Sequence, residues 1–353
     1  MSGPTDGGVT EGGRVSAGQH MLASMLASRP GKYVSRLAHR KQLWCGVARV
    51  VGGVLLIAIV LSTARQSSTP APLHSEIVRD AGDGAGPERT IDWVKQYAWL
   101  SKEERKKYEM LTDRIPPPAG CSRVKVAAGS FADWLRHLPV LPEGTPVKTG
   151  KAQVVVKADD PRLATVVALQ PRGGKLLDGI NVLLRLRAEY FWAAERPGEV
   201  AFHFTNGYLA KWRDWADGAR PTGKGREVEV RKTVVADESR SGFCCYLETV
   251  FRYTTVYSLW KDTRPAGDQA VEAGDVFVRV GRPGLAVMVL DVATDAEGHV
   301  QVLLGRGGTP AQTFHVLRRS AQSPWFALTQ TEPIDLGEKA GVLRLKDLRH
   351  WGE

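Results

Sequence analysis

Cysteine is scarce in this 353-residue chain, and its four copies are poorly placed for metal. Cys45 lies in an apolar run, Cys121 stands alone, and adjacent Cys244 and Cys245 point to different sides of any regular element. No CxxC and no Cys/His cluster occurs, which excludes the common zinc arrangements, and no cofactor signature is legible. A disulfide through Cys121 is open to an exported domain, but no spacing dictates it. His203, His299 and His315 sit in or beside expected strands without a ligand partner at metal spacing, and are expected to be structural. A strong charge excess is also missing from most of the chain. The first 64 residues hold seven basic and two acidic residues, half of the net +10. The other 289 carry 41 basic against 36 acidic, a balance that does not call for nucleic acid. There is no internal repeat.

Long apolar stretches are absent too, with one exception. Leu43 to Ala64 has 22 residues and a single charge, Arg49, near its start. About 20 such residues cross the hydrocarbon core of a bilayer. The Arg49 stem can carry its guanidinium back to the headgroups, and Trp44 lies where interfacial aromatics belong. Lys and Arg are retained on the cytoplasmic side, and the segment before the run is basic. The expected organisation is a disordered cytoplasmic tail over 1–43, a transmembrane anchor over 44–64 and a Ser/Pro/Gly-rich linker over 65–90. A helical segment over 91–113 and an extracytoplasmic globular domain over 114–353 follow. A leader cleaved after Ala64 is the alternative to a retained anchor.

The periodicity gives an α+β domain. Helices are expected over Ile91–Leu100, over Ser101–Leu111 with a Ser101/Glu104 capping box, over Phe131–Leu138 and over Leu176–Ala194. Phe243–Trp260 reads as a helix or a helix–strand piece. Strands are expected over Gln153–Lys157, Thr165–Leu169, Val200–Phe204, Asp275–Val280, Ala286–Val292, Val300–Leu304 and Phe314–Leu317. Helices first and antiparallel strands later suggest a sheet packed by helices.

Few motifs carry chemistry. Gly218 to Lys224 has P-loop spacing, but Gly225 replaces the magnesium-binding Ser or Thr and no strand precedes it. Gly305-Arg306-Gly307-Gly308 reads as a tight turn between strands. Asp275 and Asp291 stand at strand ends, where turn-forming Asp is common. Cys244 and Cys245 rank as small buried hydrophobes.

Several phrases resemble an uncharacterised bacterial family, domain of unknown function 4846, over about residues 114–350. They are Ser130 to Pro139, Arg185-Leu-Arg-Ala-Glu-Tyr190, Phe202 to Gly207, Gly274-Asp-Val-Phe277, Pro283 to Asp291, Pro310 to Leu317 and Ser323-Pro-Trp325. The resemblance implies a cysteine at a helix start, a histidine on a later strand and a glutamine. Here those places are Gly179, Leu285 and Arg306. A cysteine then a histidine is the order of papain-like cell-wall peptidases, which implies a thiol-hydrolase-like cleft. Glycine cannot attack and leucine cannot take a proton, so this chain is expected to be a non-catalytic relative. Glu189, Asp275, Asp291 and Gln312 remain as cleft residues, with a structural salt bridge to Arg185 as the plainer role for Glu189. Trp212, Trp215 and Tyr208 are expected as surface aromatics for stacking. The expected partners are the membrane through 44–64 and a cell-wall glycan, a cell-wall peptide or an envelope protein. The alternatives are an envelope hydrolase using Cys244 or Cys245 with His203 or His315, and a structural part of an envelope complex.

Overall fold

The computed structural model describes residues 96–169, 178–224, 227–281, 284–337 and 341–352. The expected tail, anchor and linker lie outside them, as does half of the helix expected over 91–100. No described helix is long and apolar enough to cross a membrane.

The domain is α+β. Its centre is one antiparallel sheet of nine strands. In chain order these are β1 (Ser122–Arg123), β2 (Leu163–Val166), β3 (Thr263–Pro265), β4 (Val276–Arg279), β5 (Leu285–Thr294), β6 (Val300–Arg306), β7 (His315–Leu317), β8 (Phe326–Leu328) and β9 (Leu348–Trp351). The spatial order is β3-β9-β4-β5-β6-β7-β2, with β1 on β5 and β8 on β6. The C-terminal strand therefore sits inside the sheet, between β3 and β4.

Strand β5 is buried on both faces, and its alternation assigns them. Ala286, Met288 and Leu290 join the larger apolar layer under the helices. Leu285, Val287 and Val289 join a second layer with Phe277, Leu304 and Leu343. A β-bulge after Val289 shifts the register, so that Asp291 follows Leu290 onto the helical side.

Four helices matter for the site. Helix α1 (Phe131–Arg136) starts at Ser130, whose hydroxyl accepts from Asp133 N at 3.2 Å. Helix α2 (Gly179–Ala193) starts at Asp178, which accepts from Asn181 N at 3.4 Å. It is buried almost all round, as its wide apolar pattern requires. Helices α3 (Arg240–Tyr253) and α4 (Val256–Lys261) divide the segment expected as one piece, because Thr254 is extended. Asn181 binds both partners at that break: its amide donates to Phe251 O at 3.2 Å and accepts from Thr254 Oγ1 at 3.0 Å.

Local differences have local reasons. The Ser101/Glu104 capping box forms, but the helix stops at Arg105, because Glu109–Met110 pairs with Pro139–Val140 as strands. Tyr97 is buried and donates to Trp134 O at 2.9 Å, so this segment packs into the same core. Gly218–Lys224 is no phosphate loop: Ala219–Lys224 is one strand of a hairpin with Glu227–Lys232. Gly305 is not in a turn either. Strand β6 continues to Arg306, and a Cβ on Gly305 would lie 2.7 Å from Leu290 and Phe314.

Candidate functional site

The structure brings part of the expected cleft together. Gly179 opens α2 beside Gly307 and Gly308, with Gly308 Cα 3.9 Å from where a Cβ would stand. The Gln312 amide lies against Gly308 so closely that a Cβ there would overlap it. Arg306 is the last residue of β6, and its Nε donates to Gly307 O at 3.0 Å. Burial lowers the Arg306 pKa and raises that of Asp178.

Leu285 is not part of this group. It packs into the second apolar layer with Phe277 and Val287, whereas α2 covers the opposite face through Ala286 and Met288. A side chain at 285 therefore projects away from the helix that Gly179 begins.

The other expected residues are held structurally. Arg185 Nε is 3.4 Å from one Glu189 oxygen and the half-buried Arg240 reaches the other at 2.5 Å, with Arg185 and Glu189 beneath the surface. The salt-bridge role for Glu189 holds, and it includes a second arginine. His203 faces Asp262 at 2.5 Å, and burial raises the Asp262 pKa to about 6. His315 Nδ1 faces Thr313 O at 3.1 Å, and burial lowers its pKa to about 4. Cys244 is buried within α3 and Cys245 is half-buried. Trp212 and Trp215 are not surface aromatics: they are 3% and 8% exposed, packed with Phe243 and Tyr246. Tyr208 is half-buried against Phe204. The exposed aromatic pair is instead Tyr257 and Trp260 on α4, with ring planes 14° apart.

Among the described residues, a second site lies around Asp275. A cavity of about 720 Å³ opens between the 124–127 stretch that follows β1, the start of α1, the 269–275 turn and the end of β9. Its walls include Phe131, Arg136, Arg187, Asp275, His350 and Trp351. The turn before β4 is built for this place. Gly274 has φ +107°, and a Cβ on it would lie 2.8 Å from the Phe131 ring. Trp351 Nε1 donates to Gly274 O at 2.8 Å, and Asp275 Oδ2 accepts from Glu272 N at 2.8 Å. The other Asp275 oxygen lies 2.6 Å from His350 Nδ1. Burial raises the Asp275 pKa to about 6, despite that backbone hydrogen bond and the nearby imidazole.

Beside this pair, Arg136 Nε binds Asp291 at 2.6 Å, and Arg123 Nε binds the same carboxylate at 2.7 Å. Asp291 is thus the anchor of two guanidinium groups. Arg187 is different. Its guanidinium lies 4.7 to 5.9 Å from the ring centres of Phe131, Tyr190, Phe191 and Trp351. No carboxylate pairs with it among the described residues.

The chain belongs to the family described as Domain of unknown function (4846), whose model matches residues 111–340. No curated protein and no solved structure matched it in the corresponding comparisons.

His350 and Arg187 escaped the sequence reading. His350 lies ten residues beyond the family match and meets Asp275 only through strand pairing. Arg187 did carry a signal, as one of three charged residues, with Arg185 and Glu189, on a helix that is otherwise largely apolar.

Proposed function

We propose that this protein is a membrane-anchored extracytoplasmic domain that acts by binding, and that the cavity beside Asp275 is its binding site. One observation carries the reading. The cavity stands open and sets Arg187, Asp275 and His350 in a wall of mixed polar and apolar residues, while the cleft that the resemblance implies has Gly179 in place of a nucleophile and a residue 285 that faces elsewhere. A pocket that stands apart from that cleft, in a chain without the implied nucleophile–base pair, is suited to recognition. The apolar run 44–64 and the basic segment before it support the anchor and its orientation. A cell-wall component or an envelope partner is then within reach.

The test has two parts. A C-terminal fusion to a phosphatase that folds only outside the cytoplasm is expected to be active, and a fusion at residue 40 inactive. The full-length chain in detergent is expected to co-sediment with purified cell-wall sacculi, and Ala270→Trp, which fills the cavity mouth, to abolish this. Equal sedimentation of the two proteins would remove the cavity from the account.

One observation favours a hydrolytic second reading. A carboxylate that holds a histidine Nδ1, as Asp275 holds His350, is how a general base is oriented. Release of soluble fragments from sacculi, lost in His350→Gln, is its test.

A further inference from the structure

Two polar groups in the cavity wall lack a full set of protein partners. His350 is 7% exposed, Asp275 occupies its Nδ1, and its Nε2 is buried with no hydrogen-bond partner. A buried polar atom left in that state costs free energy, so its persistence needs a reason. Arg187 is the second. Four aromatic rings offset its charge, but ring faces leave the planar fork of N–H donors without a strong acceptor. Burial lowers its pKa to about 10, which marks a guanidinium short of compensating charge. Another guanidinium of the wall, Arg136, already has Asp291. The unpartnered His350 Nε2 and the unpaired Arg187 charge therefore share one cavity.

Resting on the reading of this cavity as the binding site, we propose that its ligand presents an oxyanion, a carboxylate or a phosphoryl group, held by the Arg187 fork and by His350 Nε2. Arginine matches either group bidentately. His350 can meet it in both protonation states, since an imidazolium donates to an ionised oxygen and a neutral ring accepts from a protonated one. Asp275 is a positioning residue here, because it fixes the ring through Nδ1.

The test uses the full-length chain in detergent micelles, with Trp351 emission and the unfolding temperature as readouts. Three probes are titrated: inorganic phosphate, N-acetylalanine as a peptide-type carboxylate, and N-acetylglucosamine as a neutral sugar. A saturable response to phosphate or to N-acetylalanine is expected, and whichever probe acts identifies the source of the oxyanion. Arg187→Met and His350→Gln are each expected to weaken it by about tenfold or more. Without probe, Arg187→Met is expected to unfold at the wild-type temperature or above. A purely structural aromatic cage predicts a loss instead. Should Arg187→Met not fold, Arg187→Lys keeps charge and cage but loses the fork, and is expected to weaken binding likewise. An anion response unchanged in both variants, an adventitious ion only, overturns the proposal, as does no response to any probe. A response to the neutral sugar alone also overturns it, while leaving the cavity as a binding site.

Discussion

His350 Nδ1 lies 2.6 Å from an Asp275 oxygen across 75 residues of chain, because β9 pairs with β4 directly beside the turn that carries Asp275. The pair joins the last strand of the domain to the mouth of its cavity. Its titration is therefore both a stability and a site property.

Burial raises the Asp275 pKa from its ordinary 3.8 to about 6 in the folded state. The folded protein holds this proton more tightly than the unfolded chain does. The resulting stability is fully present below about pH 4 and is lost as pH rises through about 6. Asp262 is raised to about 6 by the same cause and acts in the same window. Relative to wild type, Asp275→Asn is expected to gain roughly 1–3 kcal/mol between pH 4 and pH 7. Denaturant unfolding of both proteins across that range measures it. A gain as pH falls would contradict the assignment.

Asp291 answers two guanidinium groups, Arg123 at 2.7 Å and Arg136 at 2.6 Å, and its side chain is 2% exposed. Removing the carboxylate leaves both cations facing each other under α1. Asp291→Ala is expected to cost about 3–5 kcal/mol. Urea titration should show a lower midpoint with an unchanged slope. A loss below about 1 kcal/mol would mean that water reaches the arginines.

Gly274 combines a left-handed φ of +107° with a Cβ position 2.8 Å from Phe131. Gly274→Ala must strain the backbone and move the ring, both of which shape the cavity wall. The expected cost is roughly 2–4 kcal/mol, from backbone strain and overpacking together. Trp351, which binds Gly274 O, should report the shift in its emission.

Periodicity carried most of the fold. The long helix α2 and the strands β4 to β7 are legible because their apolar residues recur over many positions. The expected strand over Ala286–Val292 lies within β5, but its bulge was invisible, and that bulge decides that Asp291 faces α1. Asp275 could be named as a candidate from Gly274-Asp275 before an apolar strand. Its partner could not, since no local rule pairs residues 275 and 350. Trp212 and Trp215 were misplaced for a related reason. They look amphipathic among Arg213, Asp214 and Asp217, yet Phe243 and Tyr246 of a later helix cover them.

The geometry of Gly179 and Leu285 can be tested by rebuilding the pair that the family resemblance implies. Gly179 has room for a side chain, with its nearest neighbour 3.9 Å from the Cβ position. Gly179→Cys should therefore fold, and its thiol can be titrated by alkylation rate against pH. Leu285→His adds an imidazole on the other face of the sheet, inside the layer of Phe277 and Val287. It is expected to destabilise the domain by about 2–4 kcal/mol as a buried group without a partner. It should leave the pKa of the new thiol unchanged, because the sheet stands between them. An imidazole within reach would form an ion pair and depress that pKa by about one unit or more. Such a depression in the double variant would return residue 285 to the cleft and reopen covalent catalysis for the family. An unchanged thiol keeps residue 285 outside the cleft that Gly179 borders.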